Sequence, residues 1–519
     1  MYSKAKFDWP VILISGGFLV LFVLASIINA DFVGQSVDTL FNLSADYFGL
    51  FWQLLMLVSF ITAIGIAISK YGRIKLGKRD KPEMSTFKWI AIIMCTLLAG
   101  GGVFWAAAEP MYHFISTPPM YPDIESGTEA AIVPALSQSF MHWGFLGWAI
   151  LGTLGSIVIM YAHYHKGMPL KPRALLYPMF GEKIMKNSAL GTMVDAFSVI
   201  AVAAGTIGPI GFLGLQAAYG LNALFNVPNV FMTQLLIIIG LITIASVSAV
   251  TGVHKGIQIL SRFNIISTFV LIIAVLILGP GAFIIDNFIG SYGVYMRDFL
   301  STSLYRGDTA WLSFWTVFFW GWFIVYGPMM AIFISRISRG RTIRELILAV
   351  AIIAPIVTNF WFTVVGGSGI YYELQNAGSV SEALNTGGMP AAMIAIVTQL
   401  PLGTILAFAF LLVTIIFVAT TSDSMSFTIS MAVTGSDNPS SYLRVFWAVI
   451  MGAVAVVLLY IGEGSVEALQ SFIVVTAVPV SFILLPLIWL APKVVKQLAA
   501  EQPESEMEDT KIDTNKKAV

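Results

Sequence analysis

One cysteine, Cys95, occurs in the whole chain, which excludes internal disulfides and thiolate metal clusters. Charge is nearly as scarce. Asp, Glu, Lys and Arg make up 11% of the 519 residues, whereas a domain wetted by water carries about 25%. The 28 basic and 28 acidic residues cancel, so nothing suggests a polyanionic partner such as nucleic acid. Histidine is confined to positions 113, 142, 163, 165 and 254. Gly366-Gly367-Ser368-Gly369 superficially resembles the serine motif of an intramembrane protease. Such chemistry needs a histidine base within reach, and none lies in a span close downstream. His163 and His165 have no other metal ligands nearby. The sequence is therefore not read as an enzyme, and no cofactor is expected. No small-residue cleavage site follows Met1–Trp9, so the first apolar stretch is expected to be retained as a span.

What the chain has in excess is hydrocarbon. Apolar residues make up 57% of it, and the mean hydropathy is +0.85. Most of the surface must face a lipid bilayer. Runs of about 20 apolar residues suffice to cross one. They fall near 10–30, 49–69, 86–108, 137–162, 190–219, 231–251, 262–285, 311–335, 345–367, 403–432, 441–462 and 467–491. Twelve spans put both termini on one side. The basic residues agree, because alternate loops carry them: Lys70 to Lys88, Lys166 to Lys186, Lys255 and Arg262, Arg336 to Arg344, and Arg444. Of the 28 basic residues, only Arg297 and Arg306 fall on the other side. That asymmetry marks the basic side, with both ends, as cytoplasmic. An all-α polytopic protein of the inner (cytoplasmic) membrane is expected. Segment 290–306 is too polar to cross, and Tyr295, Phe299 and Leu304 fit one face of a helix lying along the outer interface. The arginines of 336–344 are expected to meet anionic headgroups or the acids of the C-terminal tail.

Secondary transporters are commonly built from inverted repeats whose first helices are unwound where they hold the solute. Two spans carry glycine at corresponding places, five helices apart. Ala99-Gly100-Gly101-Gly102 interrupts the third. Trp320-Gly321-Trp322-Phe323, followed by Gly327-Pro328, marks the eighth. Glycine lets backbone leave helical geometry and frees amides and carbonyls as ligands; both spans are expected to break there.

The eighth span, Trp315-Thr316-Val317-Phe318-Phe319-Trp320-Gly321-Trp322, with the loop Ser335-Arg336-Ile337-Ser338-Arg339-Gly340-Arg341-Thr342-Ile343-Arg344-Glu345, resembles the betaine–carnitine–choline transporters. So do Phe104-Trp105 through Glu109-Pro110 to Tyr112-His113, His142-Trp143 with Trp148, and Thr420-Thr421-Ser422-Asp423-Ser424. The likeness runs from Trp9 to about Pro492. It implies a leucine-transporter-like fold: a tail and two peripheral helices over 1–85, inverted five-helix repeats over 86–285 and 311–491, an interfacial segment at 286–310, and a tail over 492–519. It also implies homotrimers and ion-driven uptake of a small zwitterionic or cationic solute.

A quaternary ammonium donates no hydrogen bond and is recognised by aromatic faces, at about 2 kcal/mol or more per desolvated contact. By the resemblance, Trp143 and Trp148 match cage tryptophans, and Leu151 stands where tyrosine is usual. Phe323 replaces the principal tryptophan of the eighth span, flanked by Trp320 and Trp322, and Tyr326 replaces another. Gly100 and Gly101 are expected at the solute, and the resemblance implies an aspartate at the position of Gly101 in choline carriers. With no acid over 97–103, a zwitterion bringing its own carboxylate is preferred to choline. The coupling ion implied is sodium, held by the Thr420 and Thr421 hydroxyls with the carbonyls of Cys95, Leu98 and Phe417. Hydroxyls bonded back to their own helix are the ordinary alternative. Proton coupling stays open through the intramembrane acids Glu109, Asp195 and Asp423.

Overall fold

The computed structural model describes residues 7–98, 102–186, 188–251, 254–435 and 439–501, without the side chains of 95–98, 254–261 and 265. Among these residues there is no named strand, only an isolated bridge between Lys75 and Thr342. Ten helices are long and apolar enough to cross a membrane, or eleven if one bent pair is a single span. The expected third span is represented by two shorter helices, α3 (Thr86–Leu98) and α4 (Gly102–Ile115), and the glycine-rich stretch 99–101 between them lies outside the described residues.

Two peripheral helices come first. α1 (Trp9–Ile28) starts with proline in its first turn, where a missing amide costs nothing. α2 (Ala30–Ile68) is capped by Asn29, whose side chain accepts from the Phe32 amide. Its 39 residues span about 58 Å, so Asp31, Asp38 and Asp46 ride on the helix rather than on the loop expected there. Leu13, Leu21, Leu24, Leu40, Leu50 and Ile61 point outward on these two helices, as a lipid-facing surface requires.

The fourth span leaves helical geometry at two described residues. It runs as α5 (Ile132–Trp143), α6 (Phe145–Gly152) and α7 (Leu154–Met160), with non-helical backbone at Gly144 (φ −94°, ψ −144°) and Thr153 (φ −95°, ψ −81°). Backbone released inside a membrane must find partners within the protein. It does. The Phe145 N–H donates to the Tyr295 hydroxyl at 3.2 Å, and Asn359 Nδ2 donates to the Phe140 carbonyl at 3.5 Å and to the Tyr292 hydroxyl at 3.2 Å.

Beyond the break come α8 (Ala189–Phe225), α9 (Phe231–Thr251) and α10 (His254–Leu278). The chain then turns through 106° into α11 (Gly281–Arg297). The segment expected along the interface at 290–306 thus begins inside a helix that starts at Gly281 and ends at Arg297, and it continues as a separate short helix over Phe299–Ser303. Leu304 does not share its buried face: Tyr295 is 1% exposed and Leu304 42%. The tyrosines that close the break in the fourth span both belong to α11.

The eighth span does not break at its glycines. A π-turn over Ser313–Val317 leads into α12 (Phe318–Ile337), which is continuous. A Cβ on Gly321 would stand 3.2 Å from Trp52 and 3.3 Å from Val474, and one on Gly327 would stand 2.7 Å from Leu484. Glycine here lets helices approach closely, which overturns the expected unwinding. The ninth span holds α13 (Ala354–Phe362); α14 (Gly403–Thr434), α15 (Ser441–Ile461) and α16 (Glu467–Leu484) follow, and a helix over Leu487–Glu501 ends the described residues.

The basic loop after α12 turns inward. Arg344 Nε donates to the Ala67 carbonyl at 2.7 Å, Arg341 donates to the Met84 carbonyl at 2.8 Å and lies over the Trp89 ring, and Arg339 meets Glu83 at 3.2 Å. These arginines bind the loop to the second loop of the chain. Glu501 instead pairs with His165 and Lys166.

Gly144 is fixed by crowding: a Cβ there would stand 2.1 Å from the Phe140 carbonyl and 2.4 Å from the Tyr295 hydroxyl. Gly144→Ala is expected to cost about 3 kcal/mol and to lower the temperature of half-unfolding in detergent. An unchanged melting temperature would show that the break relaxes freely around a methyl group.

Candidate functional site

A carboxylate stands at the centre. Glu109, on α4, is fully buried. A charge so placed persists only with partners, and the fourth span supplies them. His142 Nδ1 lies 2.6 Å from Oε1, and the Trp143 indole N–H donates to Oε2 at 2.8 Å. With Nδ1–H given to the carboxylate, His142 Nε2 becomes an acceptor facing Gln138 Nε2 at 3.1 Å and Thr316 Oγ1 at 3.0 Å. His113, one helical turn from Glu109, brings Nε2 to 3.4 Å from Oε1. The third, fourth and eighth spans are thereby joined at one buried point.

Held at its polar edge, Trp143 offers its ring to four others. Phe362 lies 4.9 Å away centroid to centroid, Phe319 5.6 Å, Phe323 5.6 Å at 78°, and Trp322 5.8 Å at 85°. An edge-to-face pair sets the positive edge of one ring against the negative face of the other, and the same quadrupole attracts a cation to a ring face. Phe323 rests on Gly147, where a Cβ would meet its ring at 2.7 Å.

Of the residues chosen from sequence, Trp143, Trp322 and Phe323 come together. Trp148 and Leu151 are buried on α6, and among the described ring contacts Trp148 touches none of the three; its indole N–H has no partner. Trp320 faces His142 at 6.0 Å and also leaves its N–H unpaired. Trp322 Nε1–H and the Tyr326 hydroxyl both donate to the Gly205 carbonyl of α8, at 3.0 and 2.8 Å. Gly100 and Gly101 lie outside the described residues. Phe319 and Phe362 were not singled out by the sequence. The signal for Phe319 was there, since it precedes Trp320 in the quoted motif, but nothing local marks Phe362.

The ion ligands divide. Thr420 Oγ1 donates back to the Ile416 and Phe417 carbonyls, at 2.9 and 3.1 Å. The Thr421 and Ser422 hydroxyls are buried and unpartnered. The side chains of Cys95 and Leu98 lie outside those described. Asp195 is bonded to Arg173 at 2.6 Å and Asp423 to Arg444 at 2.8 Å, which is how structural ion pairs look. A cavity of about 420 Å³ opens at the basic end of α12 and α14, beside Glu83, Ile332, Arg336, Asp423, Thr428 and Arg444.

Removing the carboxylate strands two buried donors, each costing about 1–3 kcal/mol. Glu109→Ala is expected to lower thermal stability strongly, and Glu109→Gln, which keeps one acceptor, to lower it less. Equal melting temperatures for the two variants in detergent would show that the carboxylate does not hold Trp143 and His142.

Comparison with known proteins places this geometry. The family model for betaine/carnitine/choline transporters matches residues 10–500. The chain is 53% identical over 502 residues to the Glycine betaine transporter 2 of Vibrio parahaemolyticus, covering 97% of this chain and 93% of that protein. It is 34% identical over 489 residues to the Ectoine/hydroxyectoine transporter of Virgibacillus pantothenticus, covering 93% and 95%. It is also 34% identical over 490 residues to the Glycine betaine transporter OpuD of Bacillus subtilis, covering 92% of each. The chain is a multi-pass membrane protein, a transporter and not an enzyme, and it belongs to the betaine/carnitine/choline transporter family.

Proposed function

We propose that this transporter imports a zwitterionic quaternary ammonium solute of the glycine betaine type, together with sodium, by alternating access across the inner membrane. The observation that carries the reading is the box of Phe319, Trp322, Phe323 and Phe362 around Trp143, whose indole is held by a buried carboxylate. A trimethylammonium group gains about 2 kcal/mol per desolvated aromatic face. The solute's carboxylate needs donors, and the unpaired indole N–H groups of Trp148 and Trp320 are available in the same span region, with the backbone at 100–101 as a further source. The glycine betaine transporters among the relatives support this solute class.

Two features support alternating access: the Glu109, His142 and Thr316 network ties three spans together at a buried point, and a cavity opens beside Arg336 and Thr428, at the basic end taken here as cytoplasmic. In this reading twelve spans form two inverted five-helix repeats, with both termini cytoplasmic. Subunits meet as a homotrimer along α11, whose outer face exposes Ile285, Ile289 and Met296.

Sodium is favoured over a proton because Thr421 offers a buried hydroxyl with no other use, whereas Asp195 and Asp423 are committed to arginines. Cys95, Leu98 and Phe417 would add carbonyls.

Uptake of glycine betaine into proteoliposomes, under separate sodium and proton gradients, tests the whole. Phe323→Ala is expected to raise the solute Kd about thirtyfold, the equivalent of one 2 kcal/mol contact, with folded yield maintained; an unchanged Kd would remove this ring from the site. Thr421→Ala is expected to shift sodium activation to higher concentration by tenfold or more, and Thr420→Ala by less, since the Thr420 hydroxyl is already bonded to its own helix. Unchanged sodium activation in both variants would dismiss the ion site.

A further inference from the structure

Helix α8 carries Pro209 in its interior. Proline has no N–H, so the carbonyl four residues earlier loses its helical partner. That carbonyl belongs to Gly205. It is the one that Trp322 Nε1–H and the Tyr326 hydroxyl reach, at 3.0 and 2.8 Å. A carbonyl oxygen has two lone pairs, and two donors one turn apart on α12 fill both. Gly205 itself makes the approach possible: a Cβ there would stand 2.9 Å from Val325 and 3.0 Å from the Tyr326 ring.

In the transport reading, on which this inference rests, α12 belongs to the moving bundle and α8 to the surrounding scaffold. We propose that Trp322 and Tyr326 latch the bundle onto the open carbonyl of Gly205, and that this latch is released and remade in each transport cycle. Trp322 serves both sides of the mechanism. Its indole N–H is in the latch, and its ring lies edge-on to Trp143 at 5.8 Å. A solute seated at Trp143 therefore touches the group that binds bundle to scaffold. Tyr326 is a positioning residue on this account and its hydroxyl is not a solute ligand, whereas Trp322 both lines the box and holds the latch.

The latch can be tested without touching the cage. Tyr326→Phe deletes one donor and keeps the ring. Pro209→Ala restores an N–H that competes for the Gly205 carbonyl from within α8. The readouts are glycine betaine Kd by tryptophan fluorescence, maximal uptake rate in proteoliposomes, and melting temperature in detergent. For Tyr326→Phe the Kd is expected to stay within about twofold while the maximal rate changes about fivefold, the weight of one ordinary hydrogen bond on a two-state equilibrium. In the Pro209→Ala background the same deletion is expected to change rate and melting temperature by less than twofold and less than one degree, because the hydroxyl has already lost its acceptor. Additive effects of the two substitutions, or a tenfold rise in Kd with an unchanged rate in Tyr326→Phe, would overturn the latch while leaving the transport reading intact. No saturable uptake of glycine betaine by the unmodified chain would overturn that reading itself, and the latch's role with it; the melting-temperature cycle still reports separately whether the bond exists.

Discussion

Everything at the centre of this molecule answers to one buried carboxylate. A charge at membrane depth is expensive unless paired, and Glu109 is paired twice over, with His142 and with the Trp143 indole. Those two partners are consecutive residues at the end of α5, just before the chain breaks at Gly144. The carboxylate therefore fixes both the side chain that organises the aromatic box and the point where the fourth span leaves helical geometry. Thr316, reached through the far nitrogen of His142, brings the eighth span to the same point. Three spans meet where none would need to if packing alone governed them, since greasy helices in lipid gain little from one another by the hydrophobic effect.

The break at Gly144 and the proline of α8 are faults of the same kind. Each leaves a backbone group without its helical partner, and each is mended by side chains from a distant part of the sequence. Tyr295 takes the Phe145 amide, and Trp322 with Tyr326 takes the Gly205 carbonyl. Loose backbone inside a bilayer must be satisfied locally by protein, so each fault becomes an address for one particular partner. Polar contacts of this sort have defined geometry, whereas the apolar contacts around them tolerate sliding. The placement of α12 against α8, and of α11 against the fourth span, is thus marked by a handful of hydrogen bonds.

Much of this was legible in the sequence, and the part that was not has a physical cause. Span positions and the basic asymmetry follow from local composition, and ten membrane-length helices, or eleven with the bent pair, stand among the described residues, though α2 begins far ahead of the apolar run expected for it. Trp143, Trp322 and Phe323 were singled out through motifs that resemble the family, and the structure brings their rings together. The site of unwinding was not legible. Gly144 looks like any single glycine, while the richer Gly321 and Gly327 looked like breaks and proved to be close helix contacts. What separates them is Tyr295, which lies 150 residues away from its hydrogen-bond partner. Trp322 and Tyr326 were singled out for their rings, and what composition does not show is that their polar atoms are bonded to the Gly205 carbonyl. The unwound stretch expected at Gly100 and Gly101 falls outside the described residues.

That distinction between ring and edge matters for how such a site evolves its selectivity. A ring that faces a cation can be exchanged for another ring at modest cost, because any aromatic face carries the attracting quadrupole. An indole or phenol whose polar atom closes a backbone fault cannot, because the exchange strands a carbonyl in a medium without water. Tuning for one betaine over another should therefore concentrate at Phe319, Phe323 and Phe362, which carry no polar atom. Trp143, Trp322 and Tyr326 are constrained from behind, by Glu109 and by Gly205, whatever solute sits in front of them.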